Sequence, residues 1–126
     1  MKAILDTSVL VAADMRPLDG ELAISVVSLA ELHFGVLVTA ERSIRAERLR
    51  RLAAFRRVFD PLPVDDAVAA SYGQLAAAVL TVGRRPRSRA MDLLIAATAH
   101  AHSARLYTRN AADLVGIEDL VEIVAV

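Results

Sequence analysis

A chain of 126 residues is long enough for one domain that buries roughly two-thirds of its unfolded surface, and its 56% hydrophobic residues supply the core. Lys+Arg 15 balance Asp+Glu 15 for a formal net charge of +0, so overall charge singles out no polyanionic partner. The chain has no cysteine, which excludes disulfides, thiolate nucleophiles and Cys-held zinc or iron–sulfur centres. Lys2 is the only lysine, so nearly all the positive charge is arginine, a planar fork for phosphate or carboxylate that cannot act as a base. The opening MKAILD has no secretory apolar region, and no apolar run approaches ~18 residues, so the expectation is a cytoplasmic protein with no membrane span.

In chain order, KAIL predicts a short buried strand and TSVLVAADM a helix running out near Pro17. LAISVV is β-branched enough for a second strand. SLAELHFGVLVTA spaces Leu29, Leu32 and Val36 helically, and ERSIRAERLRRLAAFRRVF continues as a second helix rich in arginine. DPLPV holds two prolines, so any strand there is short or at an edge. DDAVAASYGQLAAAVLTVG predicts a helix closed by Gly83, RRPRSR a loop, and AMDLLIAATAHAH a strongly apolar helix. ARLYT reads as a strand, NAADLVG as a helical turn or two, and LVEIVAV as a last strand. With no repeat, linker or boundary, residues 1–126 form a single unit of alternating strands and helices: an α/β sandwich with a mostly parallel sheet.

Four acidic or polar places precede helices or open them: Asp6, Glu31, Asp92 and the pair Asn110/Asp113. Singly, each is explained at least as well by capping as by chemistry. Ser28-Leu29-Ala30-Glu31 makes a good capping box, with Glu31 reaching back to the amide of Ser28. Asn110 and Asp113 repeat the spacing, and Asp92 is favoured by the helix dipole in a first turn. Their combination argues otherwise, because strand-to-helix junctions of a parallel sheet share one edge, the carboxyl edge. Asp6, Glu31 and Asn110 follow three such strands, and RRPRSR would deliver Asp92. Clustered carboxylates repel, by about 4 kcal/mol at ~4 Å and an effective dielectric near 20. Protonation or a divalent cation relieves the repulsion, and hard oxygen donors suit Mg²⁺ or Mn²⁺ rather than zinc.

ILDTSVLVA, SVVSLAEL, MDLLIAATA and LYTRNAADL, in that order and spacing, resemble the PIN domain, and within it the VapC-type toxins of toxin–antitoxin pairs. The resemblance spans essentially the whole chain. It implies a three-layer PIN-like sandwich and a Mg²⁺-dependent endoribonuclease, with Mn²⁺ as a substitute. Asp6 and Asp92 would bind the metal directly, and Glu31 directly or through a metal water whose proton it accepts. Thr7, Ser8 and Thr108 would support them. The family's fourth acid is replaced here by Asn110, with Asp113 one turn on; either one metal suffices or Asp113 turns inward with the missing charge. The resemblance further implies a homodimer and a VapB-like antitoxin partner.

Arg109 stands next to Asn110 as a candidate for RNA, and Arg84, Arg85, Arg87 and Arg89 would hold the RNA backbone beside Asp92 or form a solvated basic loop. Aromatic residues are only 4%, so RNA shape and phosphate spacing, not base stacking, would set selectivity. His100 and His102, two apart on a helix, point away from each other and read as helix-end residues; His33 reads as structural. SLAELHFGVLVTA and RLRRLAAF offer apolar stripes either to each other in the core or to an antitoxin helix. The small residues of AVAASYGQLAAAVL permit close packing across a two-fold axis. Two rivals stand beside the nuclease. A receiver-like phosphoacceptor would need a lysine late in the chain, which is absent; a catalytically weak or silent module acting through protein binding is kept open by Asn110.

Overall fold

A computed structural model describes residues 1–14 and 16–126. Among these, four parallel strands, β1 (Lys2–Leu5), β2 (Glu21–Ala23), β3 (Arg105–Thr108) and β4 (Ile123–Ala125), form one sheet in the order β2-β1-β3-β4. The helices are α1 (Thr7–Leu10), α2 (Val26–Val38), α3 (Arg42–Val58), α4 (Asp66–Thr81) and α5 (Ala90–Ala101). Tight 3₁₀ turns occupy Pro86–Arg89 and Ala111–Leu114.

The near-continuous apolar reading of β1 follows from burial on both faces, as parallel strands require. Side chains alternate along a strand. Ile4 enters a core with Val68, Leu75, Leu93 and Leu106 beneath α4 and α5. Ala3 and Leu5 enter a second core with Val9, Leu10, Leu32, Val36, Leu52 and Tyr107 beneath α1, α2 and α3. Two helical layers on one sheet are the expected three-layer sandwich. Among the described residues no helix is long and apolar enough to cross a membrane.

Several boundaries differ from the sequence reading. The first helix is one turn, because Ala12 N–H bonds back to Val9 in a four-residue turn and Arg51 Nη1 donates to the Val11 carbonyl at 3.0 Å; Met15, the end of the expected helix, lies outside the described residues. The second strand stops at Ala23, because Ser25 caps α2 by accepting the Val27 N–H at 3.0 Å. The proline-bearing DPLPV contributes only a bridge, Leu62 pairing alongside Ser25. Within RRPRSR, expected as a loop, Pro86–Arg89 form a 3₁₀ turn that opens on the proline, while Arg84 and Arg85 remain loop. Gly83, at φ +79, follows α4 and donates to the Leu80 carbonyl, a left-handed position that glycine accepts without strain.

Candidate functional site

The chain runs from β1 outward to β2, then crosses to β3 on the other side of β1. That reversal opens a crevice beyond the carboxyl ends of β1 and β3, the place where open α/β sheets bind ligands. Asp6 follows β1 and Thr108 ends β3, so the crevice is flanked by both.

Asp6 is only 5% exposed. Its backbone holds the junction together: its N–H donates to the Tyr107 carbonyl at 2.9 Å, and its carbonyl accepts from Val9 and Leu10 at the start of α1. Its side chain does not cap α1. Instead, Oδ2 accepts from Ser8 Oγ at 2.7 Å and from Thr108 Oγ1 at 2.8 Å. Both bonds fall on one oxygen, so the carboxylate is oriented while Oδ1 takes no protein donor among the described residues. The same hydroxyls accept in turn, Ser8 from the Arg109 N–H and Thr108 from the Asn110 N–H, each at 3.0 Å. One small network therefore fixes the acid and the segment that follows β3.

Glu31 lies in the second turn of α2, half-buried, and points to α1. Thr7 Oγ1 is 2.6 Å from Glu31 Oε1 and 2.9 Å from Ser28 Oγ. With a single proton to give, the threonine donates it to the carboxylate. This corrects the expected capping box: Ser28 is fully buried inside α2, three residues past the true cap, Ser25, and Glu31 serves no cap. The expected cap at Asn110 is also absent, since its side chain makes no capping bond and only its carbonyl accepts from the Asp113 N–H.

Asp92 sits in the first turn of α5, as expected. Burial pushes its carboxyl above the ordinary value, reinforced by the negative charges of Asp6, Glu31 and Asp113 and opposed by Arg89. The acids thus share one electrostatic field. Asp113 faces Arg89, with Oδ1 3.1 Å from Nη2. Arg109 extends away toward Asp14, its Nη2 donating at 2.8 Å, and that bond holds the Asp14 carboxyl below its usual value.

The carboxylates have not closed around a point: among the described residues no three acidic or histidine side chains stand ready to hold an ion. The donor set nevertheless fits Mg²⁺ or Mn²⁺: three carboxylates with oxygen-only chemistry, and an excess of negative charge felt at Asp92. The histidines lie elsewhere. His33 is exposed on α2, His100 Nδ1 pairs with Ser71 Oγ at 2.7 Å, and His102 ends α5.

Three pairings in this region carry no signal in the sequence. Ser28 meets Thr7 across 21 residues, Asp14 meets Arg109 across 95, and Asp113 meets Arg89 across two different 3₁₀ turns. Ser28 and Asp113 were singled out by the sequence, but as a capping residue and a fourth acid, not as members of these pairs.

The PIN domain family matches residues 3–114. The chain is 40% identical to ribonuclease VapC5 of Mycobacterium tuberculosis, over 85% of this chain and 82% of that one. It is 36% identical to ribonuclease VapC8 of the same species, over 76% and 88% respectively. A crystal structure of VapBC-5, a member of the VapBC family of toxin–antitoxin systems from M. tuberculosis, superimposes with a TM-score of 0.82 at 34% identity, covering 99% of this chain and 97% of its counterpart. With the fold, the carboxyl-edge acids and these likenesses in agreement, the chain belongs to the PIN-domain family and, within it, to the VapC ribonucleases.

Proposed function

We propose that this protein is a metal-dependent endoribonuclease, the toxin of a type II, VapBC-like toxin–antitoxin pair acting in the cytoplasm. The observation that carries the reading is Asp6, buried and oriented by Ser8 and Thr108 at the switch point of a VapC-family sheet, with the Asp92 carboxyl raised by burial and then by the charges of Asp6 and Glu31. Asp6 and Asp92 would hold the ion, and Glu31 would hold it directly or through its water. Bound there, Mg²⁺ or Mn²⁺ supplies a water of lowered pKa and neutralises charge on the phosphate.

Glu31 takes the proton of the attacking water as the new oxygen–phosphorus bond forms. The bond to the leaving ribose oxygen breaks, and that oxygen is protonated from solvent. Thr7 orients Glu31 for this, while Ser8 and Thr108 keep Asp6 oriented and tie down the segment bearing Arg109 and Asn110, the substrate-side candidates. Asp113 is a fourth carboxylate within electrostatic reach of Asp92, shared with Arg89.

A VapB-like antitoxin is the proposed protein partner. The stripe of Leu32, Val36 and Leu52 is consumed by the core, yet Phe34 remains 67% and Leu37 73% exposed on α2, with Leu49 exposed on α3. That surface suits an amphipathic helix. A homodimer through the small-residue face of α4, on which Gly73 is exposed, is proposed with it.

The deciding experiment incubates purified protein with mixed cellular RNA in Mg²⁺, in Mn²⁺ and in EDTA. Fragments in the metals and none in EDTA support the reading. Intact RNA in all three, from protein shown to be folded, refutes it.

A further inference from the structure

Resting on the nuclease reading, we propose that Arg109 and Asp14 form a base-reading pocket beside the acids, selective for an unpaired guanine next to the phosphate that is cut. Arg109 follows β3 and Asp14 stands in the loop after α1, and the two meet with Nη2 donating to Oδ1 at 2.8 Å. They line a cavity of ≈ 370 Å³ together with Val9, Arg16, Leu18 and Val126. Pockets of that size hold small ligands. The Tyr107 hydroxyl donates to the Asp19 carbonyl at 2.8 Å and ties the far end of the loop to β3. Arg109 is also joined to the acids through its backbone: its N–H donates to Ser8 Oγ, and Ser8 Oγ donates to Asp6 Oδ2. One hydroxyl therefore stands between the pocket arginine and Asp6, so a base in the pocket and a phosphate at Asp6 belong to adjoining parts of one strand.

The walls select the ligand. Val9, Leu18 and Val126 offer apolar surface to the faces of a ring, and among the described residues no aromatic side chain lines the cavity. Stacking therefore does not choose the base. The choice falls to the base edges, which single-stranded RNA leaves open. The polar pair is accessible, with the Arg109 side chain 32% and the Asp14 side chain 70% exposed. A guanidinium has five donors in a fork, and Asp14 engages the one at Nη2. The fork fits two neighbouring acceptors, such as guanine O6 and N7. Asp14 is held below the usual carboxylate value by Arg109, so at neutral pH it only accepts, and it has lone pairs to spare. Guanine turns N1–H and its exocyclic amine toward such a group. Adenine, cytosine and uracil each carry a single donor site, so only guanine fills the fork and the carboxylate in pairs. Arg109 and Arg16 together outweigh Asp14 in charge, which suits a polyanionic strand.

The test reads binding and cutting separately. In EDTA, anisotropy compares fluorescent oligouridine strands that carry one central guanine, adenine, cytosine, hypoxanthine or 7-deazaguanine. Wild type should bind the guanine strand about tenfold more tightly than the adenine, cytosine and all-uridine strands. The 7-deazaguanine strand, which lacks the N7 acceptor, and the hypoxanthine strand, which lacks the exocyclic amine, should each lose most of that advantage. Arg109→Met should bind guanine and 7-deazaguanine alike, and Asp14→Ala should bind guanine and hypoxanthine alike, because variant and analogue then remove the same bond. Arg109→Lys keeps the charge without the fork and should also lose the distinction at N7. Thermal melting verifies that each variant is folded. In Mg²⁺, sequencing of RNA fragment ends should place guanine at one fixed position beside the wild-type cuts and at none beside those of Arg109→Met.

Three results would each overturn the proposal: equal wild-type affinity for all four bases, wild type indifferent to 7-deazaguanine or to hypoxanthine, or a guanine preference that survives in both Arg109→Met and Arg109→Lys. Cleavage in metal with no base fixed beside the cut overturns the pocket alone. A guanine preference in binding with no cleavage in either metal overturns the nuclease reading and leaves the pocket standing.

Discussion

Thr108 Oγ1 donates to Asp6 Oδ2 at 2.8 Å, joining residues 102 positions apart through the paired ends of β1 and β3. The bond is buried and lands on an acid that is 5% exposed. It also leaves Thr108 free to accept from the Asn110 N–H. One hydroxyl therefore aligns the first acid of the site and the backbone beyond β3.

Thr108→Val keeps the shape and removes both bonds. A buried carboxylate then keeps a single side-chain donor and a backbone N–H loses its partner, which should cost about 1–3 kcal/mol. Urea denaturation at neutral pH checks the value. A midpoint equal to wild type would show that water replaces the hydroxyl without loss.

Glu31 separates chemistry from folding because it caps nothing. Glu31→Gln should melt within a degree or two of wild type, since a cap worth roughly 0.5–2 kcal/mol is not being removed. Cleavage should nevertheless be nearly abolished. Thr7→Val leaves the acid in place but unaimed, and should reduce kcat by about 10–100-fold. Preserved turnover in Glu31→Gln would remove it from the mechanism.

Asp92 carries an explicit pH signature. Its carboxyl is raised from the ordinary 3.8, chiefly by burial and then by Asp6 and Glu31. A raised carboxylate contributes stability that is complete below its unfolded pKa and is lost as pH climbs through the higher folded value. Without metal, Asp92→Asn should therefore melt above wild type at neutral pH, and that advantage should shrink as pH falls toward 4. Mg²⁺ should raise the wild-type melting temperature alone. Cleavage by the variant should be absent. Equal melting of the two proteins at every pH would show that the carboxylate field has no energetic consequence.

Leu37 tests the partner surface. It is 73% exposed, so Leu37→Glu should leave the melting temperature and RNA cleavage unchanged. Co-purification with a VapB-like antitoxin expressed alongside should fall sharply. Undiminished capture would move the antitoxin to another face.

The alternation of short strands and longer helices was legible in the sequence because each pattern is local. Ala3, Ile4 and Leu5 run without a polar residue since both faces of β1 are covered, and Leu29, Leu32 and Val36 recur at helical spacing. Asp6, Glu31 and Asn110 were legible as a group because a parallel sheet sends its strand-to-helix junctions to one edge, whereas Asp92 joined them only through the RRPRSR connection and the family resemblance. The placement of Asp92 in a first turn of α5 held as expected.

Local signals misled where two residues offered the same capping chemistry. Ser25 and Ser28 both suit a helix start, and the choice fell to Ser25 because Leu62 pairs beside it and leaves Ser28 to be buried facing Thr7. That choice freed Glu31 from the helix end and aimed it at α1. The length of α1 was likewise set from outside, by Arg51 reaching the Val11 carbonyl from α3.

Residue types and their order thus determined the α/β class, which depends on periodicity and on the handedness of the connections, and the family, through the resemblance of four motifs in order; the acids are proposed from that resemblance. Tertiary structure alone decided what each acid touches: Asp6 two hydroxyls, Glu31 one, Asp113 an arginine, Asp14 another. A side-chain bond spanning 24 to 102 residues leaves no periodic trace, because it depends on where separate elements dock and not on the spacing within any one of them.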